Sequence, residues 1–274
     1  MRTASDEMSP KGVKFRESRD SDAHPNTFGV CVFLDVTGSM HHIPEKLVRE
    51  KLGHLMSSMI KHGLPDAQVL FGAIGDQYSD QYPLQVGQFE SGTEELNKWL
   101  TNVYLEGNGG GQHMESYPLA WFFAARHTSC DGFEKRGHKG LLFTIGDEAP
   151  WNKLGSDEIK NIFGEVDEEV SAEQLLAEVQ RSYHVFHIHT NEASYRNSPE
   201  VLEPWKKLLN ERLLICNDYT QIAELIASTV AVIHGIDLDK FTSDFDSKTA
   251  SDVKNALAKV SNSLAKPTSG VMTL

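Results

Sequence analysis

The sequence predicts an α/β fold: a doubly wound, mostly parallel central sheet with helices on both faces, in a single domain with polar terminal extensions. Three observations carry this reading. Continuous apolar runs at 28–34, 68–74 and 140–145, with a further strand at 183–189, have the pattern of strands covered on both faces. Between the strands lie segments whose apolar residues recur every three or four positions, so strand and helix alternate along the chain. Two of the strands run straight into an acid, Asp35 and Asp147, at the end where open α/β sheets bind their ligands.

Taken in order, residues 1–27 have no hydrophobic periodicity and are expected to be mobile, or ordered only against something else. After the strand at 28–34, Pro44 opens a helix and Gly63 closes it. Leu47, Val48, Leu52, Leu55, Met56, Met59 and Ile60 supply its apolar face. Residues 68–74 form the second strand and 84–89 a weaker one, with the character of an edge. A helix at 93–101 packs Trp99 and Leu100 inward. The glycine-rich loop 107–111 precedes a helix at 115–126. Beyond the strand at 140–145, the acidic stretch 151–170 resembles a surface insertion. The helix at 172–180, the strand at 183–189, the helix at 199–209 and a short strand at 213–216 follow. Asp218 and Gln221 have capping-box spacing ahead of a helix that carries Ile222, Leu225, Ile226, Thr229 and Ile233 and is closed by Gly235. The domain therefore spans 28–236. From 237 to 274 the chain is polar, with one short helix at 250–264 that could dock on the domain or on a partner.

The bulk properties narrow the function. With 274 residues, 39% of them hydrophobic, the chain can bury a sizeable core. A net charge of −13 argues against non-specific nucleic-acid binding and fits a protein that handles cations or basic partners. No apolar run approaches membrane length, the N-terminus has no secretory apolar core, and the three cysteines are few and irregularly spaced. The expected location is cytoplasmic, with Cys31, Cys130 and Cys216 as free thiols.

The strand ends carry the chemistry. Asp35, Thr37 and Ser39 place oxygen donors at every second position after a buried strand. If the strands before Asp35 and Asp147 are neighbours where the strand order reverses, all four residues meet. Two carboxylates and two hydroxyls form a hard ligand set for Mg²⁺ or Mn²⁺, with Ca²⁺ as a further candidate. The bland alternative for Asp35, Thr37 and Ser39 is helix capping, which leaves the second acid unexplained. Asp76 and Asp80 lie at another strand end, where turn chemistry accounts for them at least as well as a place on the metal rim. His187 and His189 share one strand face with a zinc pair as one reading and buried packing as the favoured one; His184 lies on the same strand. His41 and His42 follow the metal turn, as ligand contacts or as surface imidazoles.

Asp35-Val36-Thr37-Gly38-Ser39 resembles the Asp-x-Ser/Thr-x-Ser turn of the von Willebrand factor A (vWA) domain family, where it forms the metal-ion-dependent adhesion site (MIDAS). The resemblance extends through the following helix, the glycine-rich loop and the strand ending in Asp147, covering about 28–235. It implies a Rossmann-like fold in which Asp35 holds the ion through water, Thr37 and Ser39 coordinate it through their hydroxyls, and Asp147 acts as an outer-sphere anchor. Two positions depart from the family pattern. Gly146-Asp147-Glu148 stands where Thr-Asp-Gly is common, and the loop threonine is replaced by Gln112, His113, Met114 and Glu115. Glu115 or Gln112 is the candidate for the vacated ligand position, and Glu115 is expected mainly to cap the following helix. The function implied is non-enzymatic: Mg²⁺-dependent recognition of a protein whose Asp or Glu completes the metal shell. As in intracellular family members, it would be a complex subunit beside an AAA-type ATPase or assembly factor. The alternatives are a metal-dependent hydrolase or phosphotransferase using the same acids, and a structural subunit whose metal only stabilises the fold. Phosphotransfer of the haloacid-dehalogenase type needs a second acid where Thr37 stands, and the glycine-rich loop lacks the Gly-Lys-Ser/Thr of a P-loop.

Overall fold

Six strands form one sheet: β1 (Phe28–Asp35), β2 (Ala67–Ile74), β3 (Leu84–Glu90), β4 (Gly140–Gly146), β5 (Tyr183–Thr190) and β6 (Leu213–Cys216), in the spatial order β6-β5-β4-β1-β2-β3. The computed structural model describes residues 3–107, 113–164 and 167–265. All neighbouring strands run parallel except β3, which pairs antiparallel with β2 at the edge, where the sequence places the weakest strand. The chain builds outward from β1 to β3, then restarts on the other side with β4. Strand order therefore reverses between β1 and β4, and the register Leu34↔Ile145 sets their carboxyl ends side by side.

Alternate residues of the strands feed two cores, because successive side chains point to opposite faces of a sheet. Val30, Val32, Leu34, Phe143 and Ile145 pack on one face with the helices Leu55–Lys61, Ile222–Ile233 and Ser247–Ala265. Cys31, Phe33, Leu142 and Val185 pack on the other with Tyr117–Arg126, Ala172–Val179 and Pro199–Leu209. The result is a single mixed α/β domain.

The helical stretch after β1 is interrupted. An α-turn at Ile43–Lys46 passes into a π segment, Leu47–Lys51, then a 3₁₀ turn, Leu52–His54, before the helix Leu55–Lys61. Leu47 and Leu52 are five residues apart. A π turn, which repeats over five residues, lets both stay buried. Ile60, eight residues beyond Leu52, falls off the buried face and is 44% exposed.

Three expectations change, and one left open is decided. The N-terminal segment is ordered against the domain: Met8 is fully buried, and Arg16–Ser18 pairs in parallel with Thr128–Cys130. It is anchored by polar contacts that leave no hydrophobic period, with Arg19 bridging Asp131 and Glu134, and Asp20 bridging Arg136. The acidic stretch after Trp151 is no surface insertion, since the helix Ser156–Phe163 buries Ile159 and Phe163 in the second core. The capping box at Asp218 forms only in half. Asp218 accepts the Thr220 amide at 3.2 Å, but the Gln221 side chain turns away to Thr249 and Asp252. Both of those belong to the C-terminal helix Ser247–Ala265, which docks on the domain by burying Val253, Leu257 and Val260.

That docking predicts that Leu257→Ala lowers the unfolding free energy by about 2–5 kcal/mol. Ile60→Ala, at an exposed position of equal hydrophobicity, should cost under about 1 kcal/mol. Urea denaturation of the two variants measures the contrast, and equal small effects would mean that the C-terminal helix contributes no core.

Candidate metal centre

The site sits where strand order reverses. Asp35, the last residue of β1, is fully buried. Its Oδ1 accepts the Thr37 amide (2.9 Å) and the Thr37 hydroxyl (2.6 Å), and its Oδ2 accepts the Tyr117 hydroxyl (2.8 Å). The chain then turns through a short 3₁₀ segment, Gly38–Met40, which swings Ser39 back over the strand ends. Ser39 Oγ lies 3.3 Å from Thr37 Oγ1 and donates to Asp147 Oδ1 at 2.7 Å, just beyond β4. Asp147 Oδ2 accepts the Tyr195 amide at 3.1 Å, and the Ser194 hydroxyl donates to the Ser39 carbonyl at 2.9 Å. The loop after β5 therefore clamps both halves of the site. Asp35, Thr37, Ser39 and Asp147, drawn from two distant stretches of sequence, do converge.

A further acid joins them. Asp35, Asp147 and Glu148, all buried, present carboxylate oxygens within 4.8 Å of one another. Glu148 Oε2 also lies 3.3 Å from Ser39 Oγ. Consecutive residues of a strand point to opposite faces, so the sequence gives no reason for Asp147 and Glu148 to share a site. They do so because β4 ends at Gly146 and the backbone turns before them. The signal available in the sequence was a second acid directly behind the strand-end glycine and aspartate.

Gly146 has its own cause. A Cβ there would stand 1.9 Å from the Tyr117 hydroxyl and 2.8 Å from Asp35 Oδ2. Glycine at this position thus makes room for a buried tyrosine whose hydroxyl donates to Asp35.

Glu115 is displaced from its expected role. The helix starts at Tyr117 with Ser116 as its N-cap, so Glu115 precedes the cap instead of occupying the first turn. Its Oε1 accepts the Ser116 amide at 2.6 Å. It is buried close enough for Asp35 to disfavour its ionisation, yet it lies outside the three-acid group. Gln112, with residues 108–111 of the glycine-rich loop, lies outside the described residues.

The electrostatics of the cluster are unfavourable in the bare protein. Burial, and then the charge of Asp147, pushes Asp35 up to about 7. Burial, followed by Asp35 and Asp147, pushes Glu148 up to about 8, and burial raises Asp147. Among the described residues no Lys or Arg pairs with Asp35, Asp147 or Glu148. Buried charge is otherwise paired or bound to a metal. Carboxylates with two adjacent hydroxyls are an all-oxygen donor set, and they fit a hard divalent cation. Asp35, Thr37, Ser39, Asp147 and Glu148 would hold it.

The neighbouring polar residues divide differently. Asp76 accepts the Tyr78 amide and the Ser79 hydroxyl, and Asp80 accepts the Asp76 amide, so both close a turn. His187 stacks on Trp205 at 3.7 Å and meets Thr144 Oγ1 at 2.9 Å. Burial lowers the pKa of His187 and His189, which keeps both imidazoles neutral. Among the described residues no third ligand joins them into a metal group, so packing accounts for the pair. His41 takes a φ of 53° and sets its Nε2 3.0 Å from Ser194 Oγ, while His42 packs edge-on to Tyr219.

Comparison with known proteins adds the fold and little else. No protein-family model matches the chain, and no curated protein does. Among solved structures it is similar to the pilus adhesin SpaC of Lactobacillus rhamnosus GG in its open conformation, with a TM-score of 0.50 and 10% identity over 90% of this chain. The chain spans 31% of that adhesin's length. Proximal thread matrix protein 1 of the mussel byssus gives a TM-score of 0.49 and 9% identity over 76% of this chain and 48% of that one. The adhesin match supports a mixed α/β fold with a central, mostly parallel sheet. No described helix is long and apolar enough to cross a membrane, and the three cysteines are buried free thiols.

Two outcomes follow from the geometry. Gly146→Ala should cost about 1–3 kcal/mol through overpacking against Tyr117 and remove the rise in melting temperature expected on adding a divalent ion; a variant that keeps its stability and that rise would place Tyr117 elsewhere. The second outcome concerns pH. A carboxyl whose pKa rises on folding holds its proton more tightly in the folded state, so stability is intact below the ordinary carboxylate range near about 4 and declines as pH rises through 7 and 8. In EDTA the melting temperature should therefore fall across that window, and Mg²⁺ should restore it increasingly towards the alkaline end as protons cease to compete. Identical pH profiles with and without Mg²⁺ would contradict the metal assignment.

Proposed function

We propose that this chain is a vWA-type domain, doubly wound and Rossmann-like, whose MIDAS-type site holds Mg²⁺, with Mn²⁺ and Ca²⁺ as the alternatives. It recognises a partner protein through an Asp or Glu that completes the metal shell. The observation that carries this reading is the meeting of Asp35, Thr37, Ser39 and Asp147 at the strand reversal, with buried carboxylates that no Lys or Arg among the described residues neutralises. A cation held partly by neutral hydroxyls keeps positive charge to offer an incoming carboxylate. The described residues offer no nucleophile with an oriented base. Ser194, whose hydroxyl lies 3.0 Å from His41 Nε2, donates instead to the Ser39 carbonyl, and the Thr144 hydroxyl that meets His187 is fully buried. This favours binding over hydrolysis or phosphoryl transfer. By resemblance, the protein works in the cytoplasm as a subunit of a larger assembly, beside an AAA-type ATPase or an assembly factor.

Glu148 favours a second reading. Three carboxylates around one divalent ion compensate its charge and weaken its pull on a fourth, which is the behaviour of a structural metal. Binding experiments with and without Mg²⁺ separate the two. A recognition site predicts partners that are captured with Mg²⁺, released by EDTA and lost in Asp35→Ala/Ser39→Ala while the fold persists. A structural site predicts that EDTA lowers the melting temperature and leaves the partner list unchanged.

A further inference from the structure

Glu148 lies two residues beyond the end of β4, and side chains of the second core hold its main chain there. Trp205 Nε1 donates to the Glu148 carbonyl at 2.8 Å, and the Glu148 amide meets the Tyr117 hydroxyl at 3.4 Å. The Tyr117 and Trp205 rings are 5.2 Å apart, so one residue is gripped through both of its main-chain groups. The grip comes from distant sequence. Tyr117 opens the helix Tyr117–Arg126, and Trp205 belongs to Pro199–Leu209.

The grip is also stiff. Trp205 is fully buried, stacks on the His187 ring at 3.7 Å with 8° between the planes, and meets the Trp121 ring edge-on at 6.0 Å. An indole has a single hydrogen-bonding atom, and that of Trp205 is aimed at the Glu148 carbonyl. Trp121, buried beside it, leaves its own Nε1 without a hydrogen-bond partner among the described residues, so the core sets no rule that a tryptophan here must be paired. The simplest account of the Trp205 bond is that it satisfies a buried carbonyl. On that account the identity of the side chain at 148 is immaterial.

The placement of that side chain says otherwise. Glu148 Oε2 lies 3.3 Å from Ser39 Oγ, and the carboxylate is grouped with those of Asp35 and Asp147. Burial, and then the charges of those two acids, opposes its ionisation. A free side chain would relieve both by swinging outward, whereas a peptide fixed at its amide and its carbonyl keeps the Cβ pointing into the group. We propose that Trp205, with Tyr117 as the opposing jaw, is a positioning residue that makes Glu148 a direct ligand of the divalent ion. The inference rests on the metal assignment and holds whether the ion serves recognition or only the fold. Trp205 touches no ligand oxygen and acts through the Glu148 peptide alone.

The test is a double-mutant cycle on the full chain, with Mn²⁺ as the probe and its affinity read from the loss of the free-ion electron paramagnetic resonance signal. Trp205→Phe keeps a large ring and removes the donor. It should weaken Mn²⁺ binding about tenfold to a hundredfold, the usual effect of losing a group that orients a metal ligand. Glu148→Gln should weaken binding at least as much. Adding Trp205→Phe to Glu148→Gln should then change the affinity by less than about twofold, because the ligand that Trp205 positions is already gone. Wild-type affinity in Trp205→Phe overturns the proposal, and so does an equal loss from Trp205→Phe in both backgrounds, which marks a merely structural tryptophan. No Mn²⁺ binding by the wild-type chain overturns the metal assignment as well. The wild-type chain gives a second reading should Trp205→Phe not fold. The Trp205 indole N–H should exchange with deuterium at least about tenfold more slowly in Mg²⁺ than in EDTA, beyond any change at Trp99, whose Nε1 donates to Glu90 at the opposite end of the sheet. Equal changes at the two indoles overturn the proposal.

Discussion

The structure turns on three carboxylates buried together, with no Lys or Arg paired to them among the described residues. Asp35, Asp147 and Glu148 meet where the sheet reverses its strand order, and each is pushed away from ionisation by burial and, for Asp35 and Glu148, by another acid of the group. A fold tolerates such a group when an ion repays the desolvation, or when the acids keep their protons. Several neighbouring choices make sense only around it. Tyr117 lends Asp35 a buried hydroxyl, Gly146 gives that hydroxyl room, and Ser194 with Tyr195 ties the loop after β5 to Ser39 and Asp147.

The sheet and the site are one design. The two parallel halves spread from β1 and β4, so among the described strands the adjacent carboxyl ends approached from opposite crossover directions are those two. Helices on both faces leave the strand ends as the place where loop residues can converge, and oxygen donors from two separate stretches, 35–39 and 147–148, do so. Because the acids come from loops fixed by the sheet's register, damage to the packing far from the cluster should reach it only by unfolding, whereas a single methyl at Gly146 reaches it directly.

Much of this was legible in the residues. Uniform apolar runs located β1, β2 and β4, the histidine-bearing run from Tyr183 located β5, the weaker run from Leu84 marked the antiparallel edge, and Asp35 with Asp147 announced the candidate site. What escaped was not encoded as periodicity. The N-terminal segment is held by Arg19, Asp20 and one buried methionine, a pattern that resembles a solvated tail. The helix Ser156–Phe163 buries Ile159 and Phe163 and half-buries Ile162, too few apolar residues amid its polar ones to stand out as a period. Glu148 follows Asp147 directly, and strand alternation would send it away; only the turn after Gly146, a tertiary feature, brings it in. Glu115 was misjudged because the helix begins two residues later, after a short parallel pairing of Met114–Glu115 with Ala149–Pro150.

Diffraction from a crystal soaked in Mn²⁺, recorded at the manganese absorption edge, tests the central claim most directly. The account predicts a single strong anomalous peak between Ser39, Asp35 and Asp147, at about 2.0–2.6 Å from the Ser39 hydroxyl oxygen. No peak there, or a peak at the Asp76–Asp80 turn instead, would contradict it.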